Sequence, residues 1–272
     1  MGELRIGTSG WQYDHWKGAF YPDDLPRSRW LAYYAERFDT VELNSPFYRQ
    51  PERATFQRWR RAVPTGFLYS VKLNRYLTHV KRLKVPRESS DRAYTTMAGL
   101  GPGLAVVLVQ LPPRFRFDAD RVRAYFRSVA PRRRRHAIEP RDATWFTDDA
   151  LAVLRELGVA LCLVDAEGQP TAQDPLHAVT SDLVYVRFHG RAERCGTDYS
   201  DAVLRQWAER IRWWRRRGLD VYAYFNNDAR AYAPKNARRL RELAGGINDL
   251  SSRRTARAVR GRRSAAPAAR RT

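Results

Sequence analysis

Residues 136–165 read HAIEPRDATWFTDDALAVLRELGVALCLVD and contain a complete strand–helix–strand unit. Short apolar strands are predicted at His136–Pro140 and Ala160–Asp165, with a helix between them. That helix is indicated by leucines at helical spacing, Leu151, Leu154 and Leu157. Thr147 is predicted to open the helix and Gly158 to close it. A strand, a helix and a second strand in this order predict parallel α/β architecture.

The same alternation extends in both directions along the chain. We predict eight strands, at Leu4–Thr8, Thr40–Asn44, Phe67–Leu73, Ala105–Leu111, His136–Pro140, Ala160–Asp165, Leu183–His189 and Asp220–Asn226. Further apolar faces at helical spacing begin at Leu31, Val122, Leu204 and Ala237. Thr78–Pro86 and Gly168–Ala178 are predicted to be long loops.

Eight strands with interleaved helices favour the α/β class and a single (β/α)₈ barrel of the TIM type. A doubly wound open sheet is the alternative, and it normally carries a glycine-rich phosphate turn after its first strand. Here that turn reads GTSGW and matches neither GxGxxG nor GxxxxGK[ST]. The 272 residues need only one domain. We therefore predict a barrel over residues 1–250 and a disordered, arginine-rich tail over residues 251–272.

The charge balance is strongly basic. The net charge is +21, and the segment from Arg253 to Thr272 contributes eight arginines and no acidic residue, which leaves +13 on the first 252 residues. Such a charge balance favours binding to phosphates, and it is equally typical of a solvated basic surface without a partner. Both interpretations stay open at this point.

Several classes of protein are disfavoured. No apolar stretch reaches 18 residues, so no membrane span is expected, and the first residues lack the basic and apolar regions of a signal peptide. The two cysteines, Cys162 and Cys195, form no CxxC motif, so neither a disulfide framework nor a structural zinc site is indicated. We expect a cytoplasmic protein.

Polar side chains end most of the predicted strands on one face. Side chains alternate along a strand, and one parity is nearly all apolar. The other parity ends in polar groups at Glu42, Asn44, Ser70, Lys72, Gln110, Glu139, Arg141, Asp165, Arg187, His189, Tyr224 and Asn226. In a barrel this set points inward at the C-terminal ends of the strands, where catalytic residues gather. A buried salt-bridge network that only fills the barrel is the structural alternative.

The set contains the groups that acid–base chemistry needs. We assign the candidate catalytic residues as Glu42, Lys72, Glu139, Asp165 and His189, and the candidate ligand-binding residues as Trp11, Asn44, Tyr48, Arg49, His79, Gln110, Arg141, Arg187 and Asn226. Carboxylates and histidines exchange protons near neutral pH when their surroundings separate their pKa values. A divalent metal held by Glu42, Glu139, Asp165 and His189 is a further candidate, without HxH or HExxH spacing to support it. A Schiff base on Lys72 has no supporting pattern.

The basic residues of this set favour an anion. Arg187, Arg141 and Lys72 supply charge, and the loops after the seventh and eighth strands are a common phosphate seat in such barrels. Aromatic residues on neighbouring loops are able to stack on a base or a sugar, or only to pack the loops. These are Trp11, Tyr13, Trp16, Phe47, Tyr48 and Trp145.

Six blocks together resemble the YecE-like family, a domain family of unknown function. They are IGTSGWQYDHWKGAFYP, TVELNSPFYRQP, LVQLPPRF, AIEPRDATWF, YVRFHGR with Tyr199, and VYAYFNNDARAYAPKNA. The resemblance runs from Arg5 to about Leu243 and implies a TIM barrel without an established reaction. Its signature positions fall on Gly7, Ser9, Gly10, Trp11, Glu42, Asn44, Tyr48, Arg49, Lys72, Thr78, His79, Gln110, Glu139, Arg141, Arg187, His189 and Asn226.

One position departs from the family pattern. Asp142 stands where the family usually has histidine, so this chain is either impaired in a step that needs the histidine or tolerates the change. The primary hypothesis is an enzyme, hydrolase- or lyase-like, that acts on a phosphorylated or otherwise anionic small ligand. The alternative is a non-catalytic nucleic-acid-binding barrel that uses its basic surface and tail.

Overall fold

The computed structural model describes most of the predicted barrel. The described residues are 1–85, 87–129, 134–168, 171–172, 174–176, 178–190 and 197–245. The predicted basic tail lies outside these residues. Within them, no helix is long and apolar enough to cross a membrane.

Eight strands form one sheet in which all paired neighbours are parallel. They are β1 (Leu4–Thr8), β2 (Thr40–Leu43), β3 (Leu68–Lys72), β4 (Leu104–Gln110), β5 (Arg135–Glu139), β6 (Ala160–Ala166), β7 (Leu183–Gly190) and β8 (Asp220–Phe225). Each predicted strand agrees with its observed counterpart to within one residue at either end. The strand order is β1-β8-β7-β6-β5-β4-β3-β2. A parallel bridge between Ser9 and Glu42 joins the two ends of that order, so the sheet curls into a nearly closed barrel. This confirms the predicted fold class.

The seam between β1 and β2 depends on Gly7. A Cβ atom at this position would lie 2.3 Å from the carbonyl oxygen of Thr40 and 3.0 Å from the hydroxyl of Tyr34. The same hydroxyl donates to the Thr40 carbonyl at 3.1 Å and accepts from the amide of Thr8 at 2.9 Å. Tyr34 therefore ties the two strands together across a gap that admits no side chain.

Eight α-helices surround the sheet in the described part of the chain. They are α1 (Trp30–Ala35), α2 (Ser45–Tyr48), α3 (Arg53–Arg61), α4 (Arg87–Met97), α5 (Ala119–Val129), α6 (Asp148–Glu156), α7 (Asp201–Arg216) and α8 (Tyr232–Leu243). The side chain of Thr147 accepts a hydrogen bond from the amide of Ala150 and caps α6, as predicted. Asp118 accepts from the amide of Arg121 at the start of α5. Gly158 ends the α6 turn with a φ of 61°, a value that favours glycine.

Helix α4 and the short turn before it were not predicted. The first three residues of the predicted loop Thr78–Pro86 belong to a helical turn, Tyr76–Val80, and α4 begins shortly after it. The buried face of α4 consists of Ser90, Ala93, Tyr94 and Met97. This is helical spacing, but serine and alanine supply half of it, so the sequence carries only a weak apolar signal. Burial against the barrel stabilises a helix that propensity and pattern leave ambiguous.

Two apolar layers form the core. The larger lies between the strands and the helices, and the smaller fills the inside of the barrel. The inner layer contains Val106, Leu108, Ala137, Ala160, Cys162, Val164, Leu183, Tyr185, Tyr222 and Tyr224. Along several strands, the same inward parity continues into polar residues at the C-terminal end. The inside of the barrel is thus filled by apolar side chains, and polar side chains follow them at the C-terminal ends of the strands.

Candidate functional site

Arg187 forms the centre of a buried ionic cluster at the C-terminal ends of the strands. Its Nε and Nη2 atoms donate to the carboxylate of Glu42 at 3.1 and 2.9 Å, and its Nη1 donates to Glu139 Oε2 at 2.6 Å. Both carboxylates are completely buried and Arg187 is nearly so. One guanidinium from β7 therefore links a carboxylate on β2 to a carboxylate on β5 across the inside of the barrel.

Glu139 is also held from its outer side. Its Oε1 accepts from Gln110 Nε2 at 2.8 Å and from Arg141 Nη2 at 2.6 Å. Burial alone raises the pKa of Glu139, but the charges of Arg187 and Arg141 outweigh burial and hold that pKa well below its usual range. The carboxylate stays ionised at neutral pH and is a weak proton acceptor.

Two hydroxyl groups complete the surroundings of Glu42. Ser9 Oγ donates to Oε1 at 2.7 Å and the hydroxyl of Tyr185 donates to Oε2 at 2.7 Å. Ser9 was named only by resemblance, and Tyr185 was missed. Strand parity contained the missing signal, because Tyr185 lies two residues before Arg187 and shares its inward face.

Lys72 lies beside this cluster without a hydrogen-bond partner in the described residues. Its side chain is largely buried, with the residue 8% exposed, and its Nζ lies 4.1 Å from the centre of the Phe47 ring. Burial, followed by the positive charge of Arg187, lowers the pKa of Lys72 to about 8. Near neutral pH this amine is therefore able to gain or lose a proton.

Two histidines lie near the cluster, one on β7 and one in the helical turn after β3. His189, on β7, lies 3.1 Å through Nδ1 from Asn226 Nδ2, while its Nε2 is buried and has no hydrogen-bond partner among the described residues. Burial and the charge of Arg187 lower the pKa of His189 to about 4. His79 pairs through Nδ1 with Thr78 Oγ1 at 2.9 Å, and its pKa is lowered by burial and by Lys72. The imidazole of His189 is therefore neutral at physiological pH.

Asp165 does not join this cluster, which corrects the parity assigned to β6. Its carboxylate accepts from Trp207 Nε1, on α7, at 2.6 Å. The inward positions of β6 are Cys162 and Val164, so Asp165 has the outward parity and faces the helical layer. A change in register between Asp165 and Ala166 accompanies the end of the strand. The structure therefore separates this candidate catalytic residue from the other four.

The candidate ligand-binding residues on the loops fall into two groups. Trp11 is buried, with its ring edge-on to Trp59 at 5.6 Å, which indicates packing rather than stacking on a ligand. Trp16 and Trp145 are buried as well. In contrast, Tyr48 is 72% exposed and Arg49 is exposed beside it.

Asn44 directly follows β2 and lies one residue beyond the paired residues Leu43 and Val71. It therefore lies at the same end of the barrel as Lys72, which ends β3. The Oδ1 atom of Asn44 is buried and has no hydrogen-bond partner in the described part of the chain. It therefore presents a hydrogen-bonding group without a described partner at the C-terminal end of β2.

Asp142 has a local structural role. Its Oδ1 accepts from the amide and the hydroxyl of Thr144, at 3.1 and 2.6 Å, and so caps the short turn Ala143–Trp145. These two hydrogen bonds lower the pKa of Asp142. The turn carries Trp145, whose Nε1 donates to the carbonyl of Phe115 at 2.7 Å. Asp142 thus stabilises the loop after β5, and its side chain is not part of the ionic cluster.

The predicted metal ligands are not arranged as a metal site in the described residues, where no group of three or more His, Cys, Asp or Glu side chains is placed to hold an ion. Glu42 and Glu139 already accept hydrogen bonds from Arg187, and Asp165 faces elsewhere.

The barrel and its cluster define a class of protein: a parallel (β/α)₈-type barrel with a buried carboxylate–arginine network at the C-terminal ends of its strands. The chain belongs to the family described as "Protein of unknown function DUF72", whose match covers residues 5–258. This agrees with the resemblance found in the sequence at the level of the family, while the narrower YecE-like assignment stays a prediction.

Known relatives share most of the chain. The protein UPF0759 YunF of Bacillus subtilis is 27% identical over an alignment that covers 88% of this chain and 94% of the relative. A crystal structure of a DUF72 family protein from Thermotoga maritima covers 89% of this chain and 98% of its own, with 29% identity and a TM-score of 0.75. A DUF72 family protein from Enterococcus faecalis, 22% identical, covers 89% of this chain and 95% of its own with a TM-score of 0.76, which supports the fold alone.

Proposed function

We propose that this protein is an enzyme, hydrolase- or lyase-like, that acts on a small phosphorylated or otherwise anionic ligand above the buried cluster. One observation carries the proposal. Three cationic side chains meet two carboxylates, and the arginines already pair with both carboxylates. Lys72 is left without an acceptor among the described residues. An anionic ligand group would neutralise this excess charge.

Unfilled hydrogen-bonding groups support a ligand at the same place. Lys72 Nζ, Asn44 Oδ1 and His189 Nε2 come from β3, from the end of β2 and from β7. The two buried atoms Asn44 Oδ1 and His189 Nε2 have no partner among the described residues. A buried polar atom without a partner costs about 1–3 kcal/mol, which a polar ligand or solvent relieves.

The groups that exchange protons differ from those expected from residue type. Glu139 is held ionised, whereas Lys72 has a pKa of about 8. His189 is neutral, and its free Nε2 is able to donate or accept a hydrogen bond, depending on the tautomer. We therefore assign the proton-transfer role to Lys72 and the histidines, and an electrostatic role to the two carboxylates.

The test measures binding of inorganic sulfate by calorimetry, because the charge of sulfate is constant from pH 6 to pH 10. Lys72→Met is expected to weaken sulfate binding about tenfold or more, which corresponds to the loss of one charge-assisted interaction. Affinity in the parent protein should fall as pH rises through about 8, where the Lys72 ammonium loses its proton. The exposed residue Lys17 provides the control, since Lys17→Met should bind as the parent protein does. Equal binding by the Lys72→Met variant would refute the proposal.

A second function, nucleic-acid binding, is favoured by a different surface. Three of the four exposed large hydrophobic side chains in the described residues lie on the loops after β2 and β3, namely Tyr48, Tyr76 and Val80. Basic residues accompany them at Arg49, Arg75, Lys81 and Arg82. Exposed aromatic rings among basic side chains are suited to bases and phosphates of a single strand.

The second function needs its own measurement, using a short single-stranded DNA across a salt series. Contacts with phosphate predict affinity that falls steeply with salt, and a chain that ends at Ser252 tests the share of the tail. If the double change Tyr48→Ala and Tyr76→Ala leaves DNA binding intact while truncation abolishes it, the tail alone carries the binding. If the double variant and the truncated chain both bind DNA with full affinity, neither the aromatic surface nor the tail carries the binding.

A further inference from the structure

Lys72 stands out in the basic composition of this chain. The sequence contains five lysines and 45 arginines. Four of the lysines, Lys17, Lys81, Lys84 and Lys235, are exposed, and Lys72 is the buried one. Arginine stays protonated at any physiological pH, whereas a buried lysine is able to become a neutral amine. A chain that uses arginine almost everywhere thus has, at a buried position beside the cluster, a lysine, whose neutral amine is able to act as a nucleophile.

The surroundings of Lys72 make its neutral amine more accessible than that of an exposed lysine. An ammonium group has three N–H donors to satisfy, and the described residues offer Lys72 Nζ no hydrogen-bond acceptor. The ring of Phe47 covers the amine at 4.1 Å, and the fixed charge of Arg187 opposes a second positive charge nearby. Desolvation next to another cation is an arrangement that activates a lysine for attack on a carbonyl.

We propose that Lys72 forms an imine with the aldehyde or ketone carbonyl of a ligand that also bears a carboxylate or a phosphate. This inference rests on the proposed function, because the anionic group of the ligand occupies the site described there. It narrows the reaction class to lyase-type chemistry, in which a protonated imine accepts electrons from a neighbouring carbon–carbon or carbon–hydrogen bond.

The covalent step is balanced without an oxidant or a reductant. The lone pair of Nζ attacks the carbonyl carbon while the carbonyl π electrons move to oxygen, which takes up a proton. The resulting carbinolamine loses its hydroxyl group as water after a second proton transfer, and the C=N bond forms. The two hydrogens of the amine and the carbonyl oxygen leave together as that water. His79 contacts the same Phe47 ring at 5.0 Å and is affected by the charge of Lys72, so its imidazole is suited to relay these protons.

The experiment uses glyoxylate, a small aldehyde with a carboxylate, and borohydride to trap any imine by hydride transfer. Mass spectrometry of the digested chain then locates carboxymethyl groups on individual lysines. At pH 7.5 we expect labelling of Lys72 at least about tenfold faster than labelling of the exposed Lys17 and Lys84. The rate at Lys72 should rise with pH to a plateau above about 8, whereas surface lysines continue to gain reactivity toward their ordinary pKa of about 10.4. Inorganic sulfate should slow labelling of Lys72 and leave Lys17 unchanged.

The variant Lys72→Arg separates this inference from the proposed function, since it keeps the positive charge and removes the nucleophile. The inference requires that the Lys72→Arg variant still binds sulfate and shows no labelling at position 72. Slow labelling of Lys72 in the parent protein, no faster than at Lys17, would overturn the imine and leave the anion site standing if sulfate still binds. If sulfate does not slow the labelling of Lys72, and if Lys72→Met binds sulfate as tightly as the parent protein does, both the imine and the anion site are overturned.

Discussion

Replacement of Arg187 by methionine tests whether the ionic cluster holds the barrel together. Methionine is unbranched and fills much of the same space, so the main change is the loss of one positive charge between two buried carboxylates. Glu42 would keep the hydroxyl donors Ser9 and Tyr185 but lose its cationic partner in the described residues. Breaking a buried pair from one side typically costs about 3–5 kcal/mol, because the other charge remains buried. For a chain of this size that predicts a melting temperature lower by about 10 °C or more.

The loss of unfolding free energy in Arg187→Met should depend on pH in a defined direction. In the parent protein the pKa of Glu139 is held well below normal, against burial, largely by Arg187. A carboxylate with a lowered pKa contributes stability above its unfolded pKa of about 4.3, and this contribution is lost as pH falls toward the folded pKa. Without Arg187, burial is opposed mainly by Arg141 and the pKa of Glu139 rises. The difference in unfolding free energy between the two proteins should therefore be largest near pH 7 and narrow as pH falls toward 4.

Urea unfolding followed by tryptophan fluorescence, at several pH values, measures that difference. Arg205→Met is the matched control, because its ion pair with Asp201 on the surface of α7 is exposed. It should leave the unfolding midpoint almost unchanged. Adding Glu42→Gln to Arg187→Met should recover part of the loss, since it removes the stranded charge. A cost of less than about 1 kcal/mol, or one that stays constant with pH, would refute this account of the cluster.

Three further changes test other parts of the structure. Gly7→Ala should destabilise the barrel by about 3 kcal/mol or more in urea unfolding, because the new methyl group meets the carbonyl of Thr40; a near-neutral effect would mean that the two strands are free to move apart at this seam. Asp142→Ala should cost about 1 kcal/mol by loss of the cap, with no loss of sulfate binding, and a binding defect would contradict its structural role. Glu139→Gln should move the pH midpoint of glyoxylate labelling at Lys72 below 8, since Glu139 raises the pKa of that amine, and an unchanged midpoint would speak against their coupling.

The strands could be predicted from sequence because each is a short apolar run with a clear boundary. Parallel strands buried on both faces have this pattern, and it identified all eight. Helix α4 was missed for the opposite reason, since its buried face uses Ser90 and Ala93, which carry little apolar signal. Tertiary burial rather than local pattern decides such a helix.

The candidate site was predictable where the strand parity continued without interruption. Glu42, Glu139 and Arg187 follow apolar inward residues at a period of two, and the structure brings them into direct contact. Asp165 was misplaced because a polar residue near a strand end was taken as inward, whereas the inward parity of β6 runs through Cys162 and Val164. Parity identifies a face only when it is counted from the buried residues of the same strand.

The ion pairs among these side chains could not be predicted from the sequence, and they change which groups are able to exchange protons. Two carboxylates in a barrel mouth suggest an acid and a base, but Glu139 is paired with two arginines and its pKa is held well below the usual range, so it stays ionised near neutral pH. Burial lowers the pKa of Lys72 and of His189 most, the charge of Arg187 lowers both further, and the two carboxylates of the cluster raise them. A network of apolar side chains would fill the same space and keep that burial, but it would remove both the charge of Arg187 and the two carboxylates that oppose it. Burial therefore allows Lys72 and His189 to be neutral in a basic protein, and the ionic cluster adjusts that balance with charges of both signs.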